Sequence, residues 1–234
     1  MINEEFGALL QKAINGSPDT PVHVLFNRWW NHAPADVTQA YVDQVMSDPA
    51  YQAFIDEGYY ADPLDLAELA ALPAGTLGRV FHDWIVDNGL TASIATDYRD
   101  FHASLEASGM LGGMPDEMKY AVLRGFQVHD FLHVLTGYNS NGQGEMALQA
   151  FSLAQMQFPY FGMWMSVLTA QMTFNDPRRV VPTMDAISDG WQYGRDAQNL
   201  MIVKWETMLD QPLEALRARY GVRPSALASS MIAA

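Results

Sequence analysis

Apolar residues recur at three- and four-residue spacing along most of the chain, the period of an amphipathic helix. Over 76–88 the positions are Leu77, Val80, Phe81, Trp84 and Ile85, and Thr76, after a Pro-Ala-Gly turn, can cap the helix. Leu66, Leu69 and Ala70 mark a shorter helix over 64–72. A helix over 116–135 starts after Pro115 and stops at Gly137. Two more, over 145–157 and 160–173, flank Pro159. Ile187, Trp191, Gly194, Gln198, Met201 and Trp205 predict one long helix over 183–208, and 212–220 closes the series before Gly221. No run alternates with period two. The expected class is all-α, a non-classical helical bundle. Pro/Gly clusters at 16–21, 109–115, 137–144, 176–182 and 210–212 are too short for a flexible linker, so one domain is expected over 1–234. The small, apolar tail at 225–234 is expected to be disordered or a partner contact.

Between Glu145 and Asp176 there is no charged residue. The stretch holds Phe151, Phe158, Tyr160, Phe161, Trp164, Met165 and Leu168, and a run this long raises the question of a membrane span. Gln149, Gln155, Gln157, Gln171 and Pro159 argue against a simple one. Two readings remain compatible: a buried helical hairpin, and a greasy channel or membrane-contacting surface with methionine supplying adaptable packing.

Composition then narrows the chemistry. The chain has 234 residues, 49% apolar and 17% charged, enough for a sizeable core. Its net charge of −14 repels phosphate and argues against nucleic-acid binding. With no cysteine, there is no disulfide, thiolate zinc site, iron–sulfur cluster or cysteine nucleophile. Any metal must be held by His, Asp and Glu. Acids at Glu4 and Glu5 argue against a signal or transit peptide, and a cytoplasmic location, peripheral to a membrane, is expected.

The informative segment is His129-Asp130-Phe131-Leu132-His133, followed after eleven residues by Glu145. At about 100° per residue, His133 sits about 40° from His129 and Asp130 about 60° beyond His133. The turn at 137–144 lets the chain reverse, so Glu145 can face the pair from the next helix. His129, Asp130, His133 and Glu145 form a candidate metal site of two nitrogens and two oxygens, suited to zinc, iron, manganese or cobalt. The alternative is structural: paired histidines, and an acid drawn to a helix N-terminus by its dipole. The zincin pattern is absent because Asp130 and Phe131 follow His129 without the required Glu. An HD-type phosphohydrolase would need a further upstream His and a far-downstream Asp, roles that His82, His102 and Asp185 could in principle fill, but it would not explain the short reach from His133 to Glu145. His82 reads as structural or surface. No serine elbow, phosphate loop or dinucleotide fingerprint is present.

These residues resemble the coenzyme Q biosynthesis protein 4 family. His129-Asp130-x-x-His133 and Glu145 match its signature. Leu72-Pro73-x-Gly75-Thr76-Leu77-Gly78 resembles its upstream block. Trp191-x-x-Gly194-Arg195-x-Ala197, Trp205-Glu206 and Pro212-Leu213-x-x-Leu216-Arg217 resemble its C-terminal block. The likeness runs from about Leu69 to Gly221. It implies a helical fold, one divalent metal ion on His129, Asp130, His133 and Glu145, and a role in ubiquinone synthesis. The reaction implied is oxidative decarboxylation of a polyprenylated hydroxybenzoate, in which a hydroxyl replaces the ring carboxyl and dioxygen is co-substrate. It further implies peripheral membrane contact, self-association and complexes with other ubiquinone biosynthesis proteins. Two departures stand out: no proline follows Gly137, and Met146-Ala147-Leu148-Gln149 stands where relatives often carry a Lys-Trp-like pair.

The uncharged region can supply a groove for the isoprenoid tail, with Phe158, Phe161, Trp164 and Met165 as candidate lining. Gly194 could admit close helix packing, and Arg195 is a candidate for binding a carboxylate in bidentate fashion. Opposed to an enzyme stands a non-catalytic scaffold that binds a prenylated precursor or quinone and carries a structural metal.

Overall fold

Side chains at the helix ends decide where the chain turns. The computed structural model describes residues 2–17, 19–20 and 22–222, and of 22–24 only the backbone. The expectation for 225–234 lies outside the described residues. Asn3 accepts from the Phe6 N–H and starts α1 (Glu4–Ile14). α2 (Val22–His32) and α3 (Ala35–Met46) follow, and Asp48 caps α4 (Pro49–Glu57). Asp65, Thr76 and Asp97 cap α5 (Leu66–Ala71), α6 (Leu77–Asp87) and α7 (Tyr98–Ala107). Next come α8 (Asp116–Thr136), α9 (Gly142–Met156), α10 (Pro159–Asn175), α11 (Val180–Asp196) and α12 (Leu213–Tyr220). The described residues hold no strand, only an isolated bridge between Thr76 and Pro212. The class is all-α.

α8 runs through the core. Its Leu123, Val128, Phe131, Leu132 and Leu135 are buried, and Phe131 stacks on Phe81 of α6 at 4.0 Å between ring centroids. The C-terminal end of α8 is held by Arg217 of α12, which donates to the Val134 and Leu135 carbonyls at 2.7 and 2.9 Å. Such bonds satisfy carbonyls that a helix end leaves open. Gly190 and Gly194 of α11 press on α9. A Cβ at Gly190 would overlap the Ala147 carbonyl, and one at Gly194 would lie 2.6 Å from the Phe151 carbonyl oxygen. The close packing expected at Gly194 is present.

The uncharged stretch forms the α9–α10 hairpin, and no described helix is long and apolar enough to cross a membrane. The long helix expected over 183–208 ends at Asp196. Gln155 is the reason: its Nε2 donates to the Gly194 carbonyl at 2.6 Å and its Oε1 accepts from the Leu200 N–H at 2.6 Å. The side chain replaces the next helical bonds and Ala197 becomes extended. The apolar period persists because Met201 and Trp205 remain in the core on a chain that is no longer α-helical.

Candidate metal centre

The α8–α9 turn assembles the site. Gly137 takes the left-handed conformation, φ 81°, that ends α8. Asn141 then caps α9 by accepting from the Gln143 and Gly144 N–H groups at 3.1 and 2.9 Å. Gly144 lets the returning helix lie against Asn139, whose carbonyl a Cβ would overlap. Glu145 thus enters the first turn of α9 facing the two imidazoles.

His133 Nε2 lies 3.3 Å from His129 Nε2 and 3.1 Å from Glu145 Oε1. His129 Nε2 lies 3.5 Å from Glu145 Oε2. His133 is buried, with Nδ1 3.0 Å from the Tyr138 carbonyl oxygen and Trp84 stacked on its ring at 5.1 Å. A carbonyl only accepts, so Nδ1 carries a hydrogen and turns Nε2 toward the Glu145 carboxylate. That contact is bridged either by a proton on Nε2 or by a metal ion that takes the proton's place. Metal–nitrogen bonds of about 2.0–2.1 Å put tetrahedral neighbours about 3.3 Å apart. The observed spacings match, so the triad fits a divalent ion. The carbonyl behind His133 is the outer partner that fixes a ligating imidazole.

Charge within the triad agrees. Burial opposes ionisation of Glu145, but the two histidines outweigh it and hold the carboxyl at about 2. Burial disfavours the charged form of His129, yet the hydrogen bond it donates to the Glu145 carboxylate and that group's charge prevail and raise its pKa.

His129, His133 and Glu145 form the group of ligand atoms that could hold a metal ion among the described residues. Asp130 stays outside it. Its carboxylate accepts from Ser93 Oγ at 3.3 Å, beside a cavity of about 30 Å³ shared with Tyr98 and Gln127. The helical step explains this: Asp130 is turned about 100° from His129, too far for a short side chain. Arg195 is exposed on α11, with its guanidinium over the Trp191 ring at 5.9 Å, and reaches neither the triad nor Asp130. The face of α11 that carries Gly190 and Gly194 is the one turned inward, which leaves Arg195 outside.

A cavity of about 220 Å³ opens on the triad, with His129 and Glu145 in its wall. Phe158, Phe161 and Trp164 line it. Met165 does not; it packs with Met146 and Ala150 on the other side of the hairpin. Gln149 also lines the cavity, and only its position one turn after Glu145 could have signalled that. Of the remaining histidines, His82 bonds Asp83 at 2.8 Å and His102 bonds the Tyr60 hydroxyl at 2.9 Å. Asp185 is exposed, so the phosphohydrolase set is not assembled.

The family model described as coenzyme Q (ubiquinone) biosynthesis protein Coq4 matches residues 60–226. The chain belongs to the Coq4 family. The matched region contains the stretch from Leu69 to Gly221 on which the resemblance rests. Among curated relatives, the mitochondrial ubiquinone biosynthesis protein coq4 of Botryotinia fuckeliana is 29% identical over 161 residues, 68% of this chain and 51% of that protein. The mitochondrial COQ4 homologue of Rattus norvegicus is 27% identical over 184 residues, 78% of this chain and 64% of that one. The chain spans about half the length of the curated Coq4 relatives it matches. A crystal structure of a proposed ubiquinone biosynthesis protein from Nostoc punctiforme superposes with a TM-score of 0.72 at 26% identity, over 93% of this chain and 95% of that one. The relatives' names run against the expected cytoplasmic location: the Coq4 proteins of Botryotinia fuckeliana, Coprinopsis cinerea and Rattus norvegicus are named as mitochondrial.

Proposed function

We propose that this chain acts in ubiquinone synthesis as a metal-dependent oxidative decarboxylase of a polyprenylated hydroxybenzoate. The observation that supports this most is that His129 and Glu145 belong both to the metal triad and to the wall of an apolar cavity. Three protein ligands leave coordination positions for water or substrate, the arrangement of catalytic rather than structural sites. A divalent ion there would supply a Lewis acid that stabilises charge as carbon dioxide leaves.

The protein's own residues do the rest. His129, His133 and Glu145 fix the reacting end of the ring. Phe158, Phe161 and Trp164 exclude water and hold the ring and the start of the tail. At about 220 Å³ the cavity is smaller than the roughly 300–1,000 Å³ of pockets for whole drug-sized ligands. It takes a head group, and a long tail must run outside it. In the reaction the bond from the ring to its carboxyl breaks and carbon dioxide departs. One oxygen atom of dioxygen becomes the new hydroxyl, and the other leaves as water with two electrons and two protons from an external donor. Iron, manganese or cobalt would support this chemistry better than zinc. The partners in this reading are other ubiquinone biosynthesis proteins, a second copy of the chain, and a membrane surface that delivers the long-tailed substrate.

The test is to load the purified chain with ferrous iron and supply a short-chain prenylated 4-hydroxybenzoate, dioxygen and a reductant. Conversion to the decarboxylated, hydroxylated ring by wild type, and none by His133→Ala, is expected. A metal-filled protein that binds the ring and never converts it would instead be the scaffold.

A further inference from the structure

α11 turns two faces to different surroundings. Gly190 and Gly194 press on α9, and the opposite face is exposed. Val181, Met184 and Trp191 on that face are 69%, 45% and 41% exposed, large apolar side chains left at the surface. With Ser188 and Arg195 they recur at intervals of three and four residues and form one stripe about 21 Å long. That alternation is the spacing of a seam between two helices. A face that lies on a membrane is broader and keeps its charges on the opposite side. Here a serine and an arginine stand in the stripe itself, and Asp185 flanks it.

The stripe fits itself when a second copy runs antiparallel. Setting Trp191 against Ser188 of the second copy gives each large ring the small side chain of the row, and the two-fold axis repeats the contact the other way round. The same register brings Arg195 over Met184 of the second copy, next to Asp185. Within one helix Asp185 and Arg195 stand about 15 Å apart along the axis and cannot pair. Across the two-fold axis they pair twice. A parallel arrangement would set Arg195 against Arg195, and sliding the antiparallel pair by one heptad would set Trp191 against Val181 and carry Arg195 beyond the seam. A patch that complements itself in this way is what a symmetric two-chain contact requires.

We propose that the outer face of α11 is the docking surface for a second copy of this chain, antiparallel, with Trp191 on Ser188 and Arg195 paired with Asp185. The contact is independent of the ring chemistry proposed above and stands if that chemistry fails. It also places Trp191 and Arg195, which lie outside the metal triad, in one shared role.

The test is sedimentation equilibrium of the full chain as wild type, as Arg195→Asp, and as the double variant Asp185→Arg with Arg195→Asp. A seam of five residues on each chain is at the small end of specific interfaces, so wild type is expected to dimerise with a Kd in the micromolar range. Arg195→Asp sets like charges together twice and should weaken the dimer roughly tenfold or more. The double variant restores opposite signs and should return Kd to within about threefold of wild type. Both side chains are exposed, so all three proteins are expected to fold alike. A wild type that stays monomeric up to about 0.5 mM overturns the proposal, and that measurement needs no variant. A dimer that Arg195→Asp leaves intact overturns it too, because the two chains then meet elsewhere. A double variant no tighter than Arg195→Asp rejects the antiparallel pairing. A monomeric wild type that floats with vesicles of phosphatidylcholine and phosphatidylglycerol, and loses this in Trp191→Asp, would give the face to a membrane instead.

Discussion

His133 holds the backbone of Tyr138: Nδ1 stands 3.0 Å from that carbonyl oxygen, across the turn that ends α8. The bond orients the imidazole and leaves Nε2 free for a cation, so the conformation of Gly137 bears directly on metal binding. Gly137→Ala forces a side chain into the left-handed region, at about 1–2 kcal/mol. As the Tyr138 carbonyl shifts, metal affinity should fall roughly tenfold. Urea unfolding and a metal titration on the same protein check both effects.

Asp130 and Glu145 should behave differently when each loses its charge. Glu145→Gln removes a triad oxygen and should abolish stoichiometric metal binding. Asp130→Asn should leave one ion per chain, because Asp130 bonds Ser93 instead. Equal loss in both would place Asp130 among the ligands.

Gly190→Ala drives a methyl group into the Ala147 carbonyl and must push α11 away from α9. Overpacking of this kind costs about 1–3 kcal/mol, read as a lower denaturation midpoint. Since α9 carries Glu145, the same variant should weaken metal binding.

The pH response of the metal-free protein follows from two opposed shifts. Glu145 is held at about 2, below its ordinary 4.5, so its contribution is complete above 4.5 and is lost as pH falls toward 2. His129 is raised above its ordinary 6.5, so its contribution is complete below 6.5 and is lost as pH rises through the raised value. Stability from the triad should therefore be greatest between about 4.5 and 6.5, and Glu145→Gln should flatten both edges. A bound ion displaces the His129 proton, so metal affinity should rise with pH.

On α8, five residues before His129, Arg124 forms a buried ion pair with Glu206, Nη2 to Oε2 at 2.8 Å, joined by the Val203 carbonyl and Gln127. Arg124→Ala strands a buried carboxylate and should cost about 3–5 kcal/mol in equilibrium unfolding. The double variant Arg124→Met with Glu206→Leu should recover much of that loss.

The sequence was most legible where local chemistry and tertiary need coincide. α6, α8 and α9 could be read because Thr76, Pro115, Gly137 and the apolar period all mark boundaries that packing also requires. α11 was overextended because Met201 and Trp205 keep helical spacing, while the stop comes from Gln155, 45 residues before Leu200 in sequence. The helices before Leu66 went unread; Phe26 and Trp30 find partners such as Phe158 only across the fold. In the site, His129, His133 and Glu145 were legible from spacing alone. Asp130 bonds Ser93 and lies outside the group of His129, His133 and Glu145, a difference that a helical wheel, which gives direction but not reach, does not show. Arg195 lies on the outer face of α11, because Gly190 and Gly194 turn the other face against α9. Gln149 was read only as an uncharged residue, since its place in the cavity wall shows only once α9 and α10 are packed.

The central claim is that His129, His133 and Glu145 hold one divalent ion. Metal content per chain, by elemental analysis of wild type and His133→Ala purified without chelators, tests it most directly. One equivalent in wild type and little in His133→Ala is the predicted result. No metal in either protein, even after reconstitution with iron, manganese, cobalt or zinc, would contradict it and return the three side chains to structural hydrogen bonding.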